Sequence, residues 1–173
     1  MANVQASTQA VEKLFTQVFR DGNYDLADEI LTEDFRFQYP FPGFAPGPEG
    51  IKQFSREFHQ GFPGFELEVN DLFGAENQSG DAEVTIRWTL RGQHTGPFLG
   101  IQPTGNYVTL SAIGLYIGPG GQPVQTGTVN GLAVSGPVEG TLTAGWLEMD
   151  SLGLLRQLGA VKPLHEVVPK LNI

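Results

Sequence analysis

Phe65-Glu66-Leu67-Glu68-Val69-Asn70 decides the fold class, because here the spacing of apolar residues changes from helical to strictly alternating. Val84, Ile86, Trp88 and Leu90 continue that period of two, and Tyr107 to Ile117 reads as a further strand. Everything before Phe65 has mostly the other period. Val11, Leu14, Phe15, Val18 and Phe19 predict one amphipathic helix that ends near Gly22, and Leu26, Ala27, Ile30 and Leu31 predict a short second one. Phe35, Phe37 and Tyr39 alternate in a brief strand stopped by Pro40 and Pro42. Pro48 suits the first turn of a third helix, whose apolar face is Ile51, Phe54 and Phe58 and whose end is Gly61. Beyond the alternating block, Gly92 to Gly105 reads as a loop and Gly118 to Pro123 as a turn. Val124 to Val134 and Gly140 to Met149 read as two more strands, with an extra hairpin around Ser135 to Pro137. Ser151 to Leu158 forms a closing helix with Gly159 just past its end. Helices first and strands afterwards predict an α+β domain over residues 1–173, a curved antiparallel sheet wrapped around three N-terminal helices.

Composition narrows the function. The 173 residues are 40% hydrophobic and 17% charged, with 12 Phe, enough for one substantial core. The formal charge of -9 repels phosphate backbones, which argues against nucleic acid and for a small, mostly uncharged ligand. No run approaches the roughly 20 apolar residues of a membrane span. The polar start, Met1 to Gln9, is unlike a secretion signal, so the expected compartment is the cytoplasm. With no cysteine there is no disulfide, thiolate metal site or Cys nucleophile. Three scattered histidines, His59, His94 and His165, show no zinc-binding spacing.

Three strings carry a family resemblance. Phe58 to Phe65 (F-H-Q-G-F-P-G-F), Arg87 to Gly105 (R-W-T-L-R-G-Q-H-T-G-P-F-L-G-I-Q-P-T-G) and Trp146 to Gly159 (W-L-E-M-D-S-L-G-L-L-R-Q-L-G) occur in the order seen in SnoaL-like polyketide cyclases. The chain thus resembles that family, within the cone-shaped nuclear transport factor 2-like fold. The resemblance implies a dead-end cavity between helices and sheet, no metal or organic cofactor, and homodimers or homotetramers formed through the outer face of the sheet. It also implies, for the best-known members, aldol ring closure of an aromatic polyketide ester, with the aspartate of the final W-x-x-x-D string as acid/base. That position is Asp150.

Asp150 has two readings. Asp is among the best N-cap residues, and an apolar helix follows it. Alternation also places Trp146, Glu148 and Asp150 on one face, where a carboxyl beside aromatic surface would be desolvated and work as a base near neutral pH. Gln38, Tyr39 and His94 are the candidate polar anchors, Trp88 and Trp146 the candidate core or pocket walls alongside Phe37, Tyr39 and Phe62, and Tyr116 a packing residue or a donor within the sheet. His94 follows Trp88 and Leu90 in phase if the strand runs straight; otherwise it is a loop histidine. Arg87 and Arg91 share the polar face of their strand, and Glu148 is expected at a cavity mouth or paired with an Arg. The chain departs from the cyclase pattern at Gln38, Gly114 and Gly145, and the stretch Gly127 to Gly145 is long. Two functions fit: cofactor-free aldol-type cyclisation or isomerisation of an apolar carbonyl compound, or non-catalytic binding of such a molecule. Epoxide hydrolysis lacks its Asp-Arg-Asp arrangement.

Overall fold

A computed structural model describes residues 3–120, 127–129, 132–134 and 140–162. Helix α1 (Val4–Lys13) starts at Asn3, whose side chain accepts from the Ala6 N–H. It runs without a break into a π-helical segment, Leu14–Arg20. Residues five apart share a face in that wider winding, which brings Leu14 and Phe19 to the same side. Helix α2 (Asp25–Ile30) is short, and Leu31, expected in it, opens strand β1 (Leu31–Gln38) instead. Helix α3 (Gly47–Gly61) has Pro48 in its first turn and buries Ile51, Phe54 and Phe58, as the spacing predicts.

The alternating block forms β2 (Glu66–Glu76), β3 (Ala82–Gln93) and β4 (Tyr107–Gly118); β7 (Leu142–Met149) and α4 (Ser151–Gln157) close the fold. The mixed α+β architecture is the expected one. The five-stranded sheet has the order β1-β7-β4-β3-β2, and its one departure from the antiparallel expectation is the parallel pairing of β1 with β7. The brief early strand lies at the sheet edge beside the last strand, so the sheet joins the two ends of the domain.

Two other expectations change. The single strand over Val124 to Val134 is replaced by two short ones, β5 (Gly127–Val129) and β6 (Leu132–Val134), which pair with each other in a separate sheet. The hairpin expected at Ser135 to Pro137 lies outside the described residues, as does His165. In β2 the register shifts between Val69 and Asp71. That extra residue reverses the alternation, so Leu67 points inward while Phe73 is exposed.

Helices cover one face of the sheet. Against it pack Phe15, Phe19, Phe54 and Phe58, with Trp88 fully buried beneath Phe15 and Phe19 at ring separations of 5.7 and 5.9 Å. Burying each such side chain contributes about 1.5–3 kcal/mol. No helix among the described residues is long and apolar enough to cross a membrane.

Candidate ligand site

Register fixes who meets whom on the inner face. One row runs from Val84 on β3 through Tyr116 on β4 and Gly145 on β7 to Phe37 on β1. Gly145 carries no side chain, and the two aromatic rings beside it lean into the gap, stacked at 5.9 Å and 23°. A Cβ on Gly145 would lie 2.8 Å from the Tyr116 ring and 2.9 Å from Phe37. Gly114, in the adjacent row, would meet the same Tyr116 ring at 2.8 Å. The two departures Gly114 and Gly145 therefore form one trough that the Tyr116 ring fills.

Tyr116 and Phe37 join Leu14, Phe15, Phe19, Ile51, Phe54 and Leu147 around an internal chamber of about 20 Å³. That volume is close to the size of one water and far below what a ligand occupies. Three of its walls, Leu14, Phe15 and Phe19, come from the π-helical segment. Immediately outward lies a mouth of about 320 Å³, between the end of β1 and the loop leading to α3. Phe35, Arg36, Phe37, Tyr39, Phe44 and the Ala45–Gly47 backbone line it. Gly47 is required there: its φ is +70°, and a Cβ would stand 2.9 Å from the Glu33 carbonyl oxygen. Phe37 belongs to both spaces and packs edge-on to Tyr39 at 4.6 Å.

One unpartnered hydroxyl belongs to a residue of the mouth, and one unpartnered indole N–H lies in the core outside both spaces. The Tyr39 hydroxyl and the Trp88 indole N–H are buried without a hydrogen-bond partner. Burial pushes both Tyr39 and Tyr116 well above the ordinary phenol range, with the neighbouring Tyr39 adding to the effect on Tyr116, so both stay protonated. No residue lining the mouth or the chamber carries a carboxylate or an imidazole.

His94 is inward-facing and fully buried, because β3 runs in unbroken register as far as Gln93. Its Nδ1 accepts from the Thr104 N–H at 3.2 Å and lies 3.0 Å from the Thr104 hydroxyl. The neutral ring therefore carries its proton on Nε2, which is buried beside Phe62 without a partner. Burial lowers the His94 pKa. Backbone bonds from His94 N–H to the Asn106 carbonyl and from Gly105 N–H to the His94 carbonyl tie the same loop, so His94 anchors the 100–106 turn and is not among the residues lining the mouth.

Three sequence candidates stand elsewhere. Trp146, Glu148 and Asp150 do share a face, but it is the outer one: Gly145 and Leu147 take the inward positions of β7. Asp150 is exposed, and its Oδ1 accepts from the Gly153 N–H at 2.8 Å as the N-cap of α4. It does not line the apolar chamber. It borders an outer groove of about 310 Å³ with Arg87, Ser111, Ile113 and Glu148. Trp146 is 41% exposed rather than a pocket wall. Gln38 pairs with Trp146 across the sheet and is exposed too, whereas its neighbours Phe37 and Tyr39 take the inward side. On that outer face Arg87 pairs with Asp71 and Arg91 with Glu68. His59 bonds the Phe19 carbonyl from the end of α3, a structural role. Among the described residues no group of three or more His, Asp or Glu stands together to hold a metal.

Periodicity alone did not reveal the mouth. Its signal is Phe44 set in the Pro/Gly-rich run 40–48, an aromatic that such a loop has no local reason to carry.

The profile of the SnoaL-like polyketide cyclase family matches residues 9–121. Among solved structures, TsrD from Streptomyces laurentii is 26% identical with a TM-score of 0.66, over 90% of this chain and 97% of that one. A proposed SnoaL-like polyketide cyclase from Jannaschia sp. CCS1 is 21% identical with a TM-score of 0.67, over 94% and 98%. AclR from Streptomyces galilaeus, described as a proposed hydroxylase, is 17% identical with a TM-score of 0.65, over 92% and 100%. No curated protein matches. With the cone architecture and a profile matched over well more than half its length, the chain belongs to the SnoaL-like polyketide cyclase family.

Proposed function

We propose that this protein binds a small, largely apolar, carbonyl-bearing molecule at the mouth between β1 and α3, and that binding rather than proton transfer is its principal activity there. The observation that carries this reading is the chemistry of the walls: aromatic surface, a buried unpartnered hydroxyl at Tyr39, and no carboxylate or imidazole on either space. Donors can polarise a carbonyl, but enolate chemistry also needs a base. The catalytic version, aldol-type cyclisation or isomerisation with Asp150 as acid/base, is supported by the family and by the groove of about 310 Å³ that Asp150 borders.

Acetophenone in D₂O separates the two. A binding module leaves exchange of its methyl protons at the buffer rate. Faster exchange in the wild type that is lost in Asp150→Asn would establish the catalytic version. Mass spectrometry of the native protein should then identify a co-purifying apolar ligand.

We also propose that copies associate through the outer face of the sheet, where Phe73, Leu115 and Trp146 fall in one register row and Ile113 is half exposed beside them. Light scattering on Trp146→Asp tests this, with a shift toward monomer expected.

A further inference from the structure

Resting on the reading above, we infer that the Phe37 ring occupies the place of the ligand, and that the Tyr39 hydroxyl is the donor that recognises the ligand's acceptor oxygen once Phe37 swings out. Four observations converge. Phe37 is the one residue that lines both the mouth of about 320 Å³ and the chamber of about 20 Å³, so both spaces abut it. It lies near the end of β1, an edge strand, where its own backbone partner is Gly145, so no side chain on β7 pins the ring. Its contacts are those an aromatic guest would make: stacked on Tyr116, edge-on to Tyr39, and against Phe35 at 6.0 Å. Finally, Tyr39, whose ring meets Phe37, carries a buried hydroxyl that lies against α3 at Gly50 and has no partner. A buried hydroxyl without a partner is costly, and the cost is relieved when an acceptor arrives.

The inference specifies the ligand more narrowly than a carbonyl compound. The guest offers a ring of about the size of Phe37, to stack on Tyr116 and meet Tyr39 edge-on, and an acceptor such as a ketone, ester or quinone oxygen. A guest whose buried polar group is only a donor finds no side-chain acceptor among the mouth and chamber residues apart from the phenols themselves. Tyr116, seated in the Gly114/Gly145 trough, forms the floor and sets the depth the guest can reach.

The test compares acetophenone with ethylbenzene, which differ at the carbonyl, by calorimetry on the wild type, Phe37→Ala and Phe37→Ala/Tyr39→Phe. A plain apolar cavity favours ethylbenzene, because burying an unpaired carbonyl is costly. The inference expects Phe37→Ala to bind acetophenone at least as tightly as ethylbenzene, and more tightly than the wild type does. Adding Tyr39→Phe should weaken acetophenone about tenfold, the effect of one buried hydrogen bond, and leave ethylbenzene unchanged. Preference for ethylbenzene in Phe37→Ala, or insensitivity of acetophenone to Tyr39→Phe, overturns the role of Tyr39 while leaving a ligand site at the mouth intact. If neither compound binds any variant, the mouth itself is the wrong site. Phe37→Leu serves in the same comparison should Phe37→Ala fold poorly.

Discussion

The two faces of the same five strands carry similar residues and opposite fates. Inside, Trp88, Tyr116 and Phe37 are packed against helices; outside, Trp146, Ile113 and Phe73 stand in solvent beside ion pairs such as Arg91–Glu68. Hydrophobicity of single residues does not separate the faces. What separates them is which face the helices cover, a property of the whole chain, and the local phase of each strand, which one extra residue at Asn70 is enough to reverse.

The chain's two tryptophans give the sharpest way to break this comparison. Trp88→Ala should cost about 3–5 kcal/mol in urea unfolding, as a large cavity opens beneath Phe15 and Phe19. Trp146→Ala should cost about 0.5 kcal/mol, with its main effect on assembly size. Equal losses would mean that the faces are not distinguished as described. Next comes the trough. Gly145→Ala drives a methyl into Tyr116 and Phe37 and should cost about 1–3 kcal/mol, whereas Glu148→Ala, on the outer side of the same strand, should stay within about 0.5 kcal/mol. In a Tyr116→Ala background the Gly145→Ala penalty should shrink by at least about 0.5 kcal/mol, since the two share a contact.

Smaller effects sharpen the picture at the sheet's ends. Asp150→Ala removes the cap of α4 and should cost about 1 kcal/mol; Asp150→Asn, equally able to accept from Gly153, should stay within about 0.5 kcal/mol. His94 has a lowered pKa in the folded state, so below its unfolded value of about 6.5 the unfolded chain takes up a proton that the folded chain declines. Its contribution therefore weakens stability as the pH falls below about 6.5. The drop in thermal midpoint between about pH 7.5 and about pH 5.5 should be smaller in His94→Asn than in the wild type, once both are measured against their own midpoint at the higher pH.

Much of the fold was legible from spacing. The helical stripe of Val11 to Phe19, the face of α3 and the alternation of β3 depend on local burial that each element requires by itself. The π-helical winding and the Asn70 irregularity were not legible, because both are answers to packing partners distant in sequence. The site was half legible. Tyr39, Tyr116 and Trp88 were found as aromatics in phase with the core; for His94 the spacing left an inward phase and a loop role open, and the structure combines them: it is buried and bonded to the 104–106 loop. The grouping of Trp146, Glu148 and Asp150 on one face was also right; which face it was could not be read, since alternation is symmetric about the sheet. Gln38 was named from the family resemblance and not from phase; it is exposed, out of phase with Phe37 and Tyr39.

The Gly114/Gly145 trough has a consequence for how this interior could change. Three positions on two strands behave as one unit, because a side chain at either glycine has nowhere to go while the Tyr116 ring is present. Installing a carboxylate or an imidazole at either place thus has an obligatory order: Tyr116 must shrink first, and that first step is the one that weakens the core. Designers, and any lineage drifting by single substitutions, face the same unfavourable intermediate. At these two positions, then, an ionisable side chain is not introduced by a single substitution.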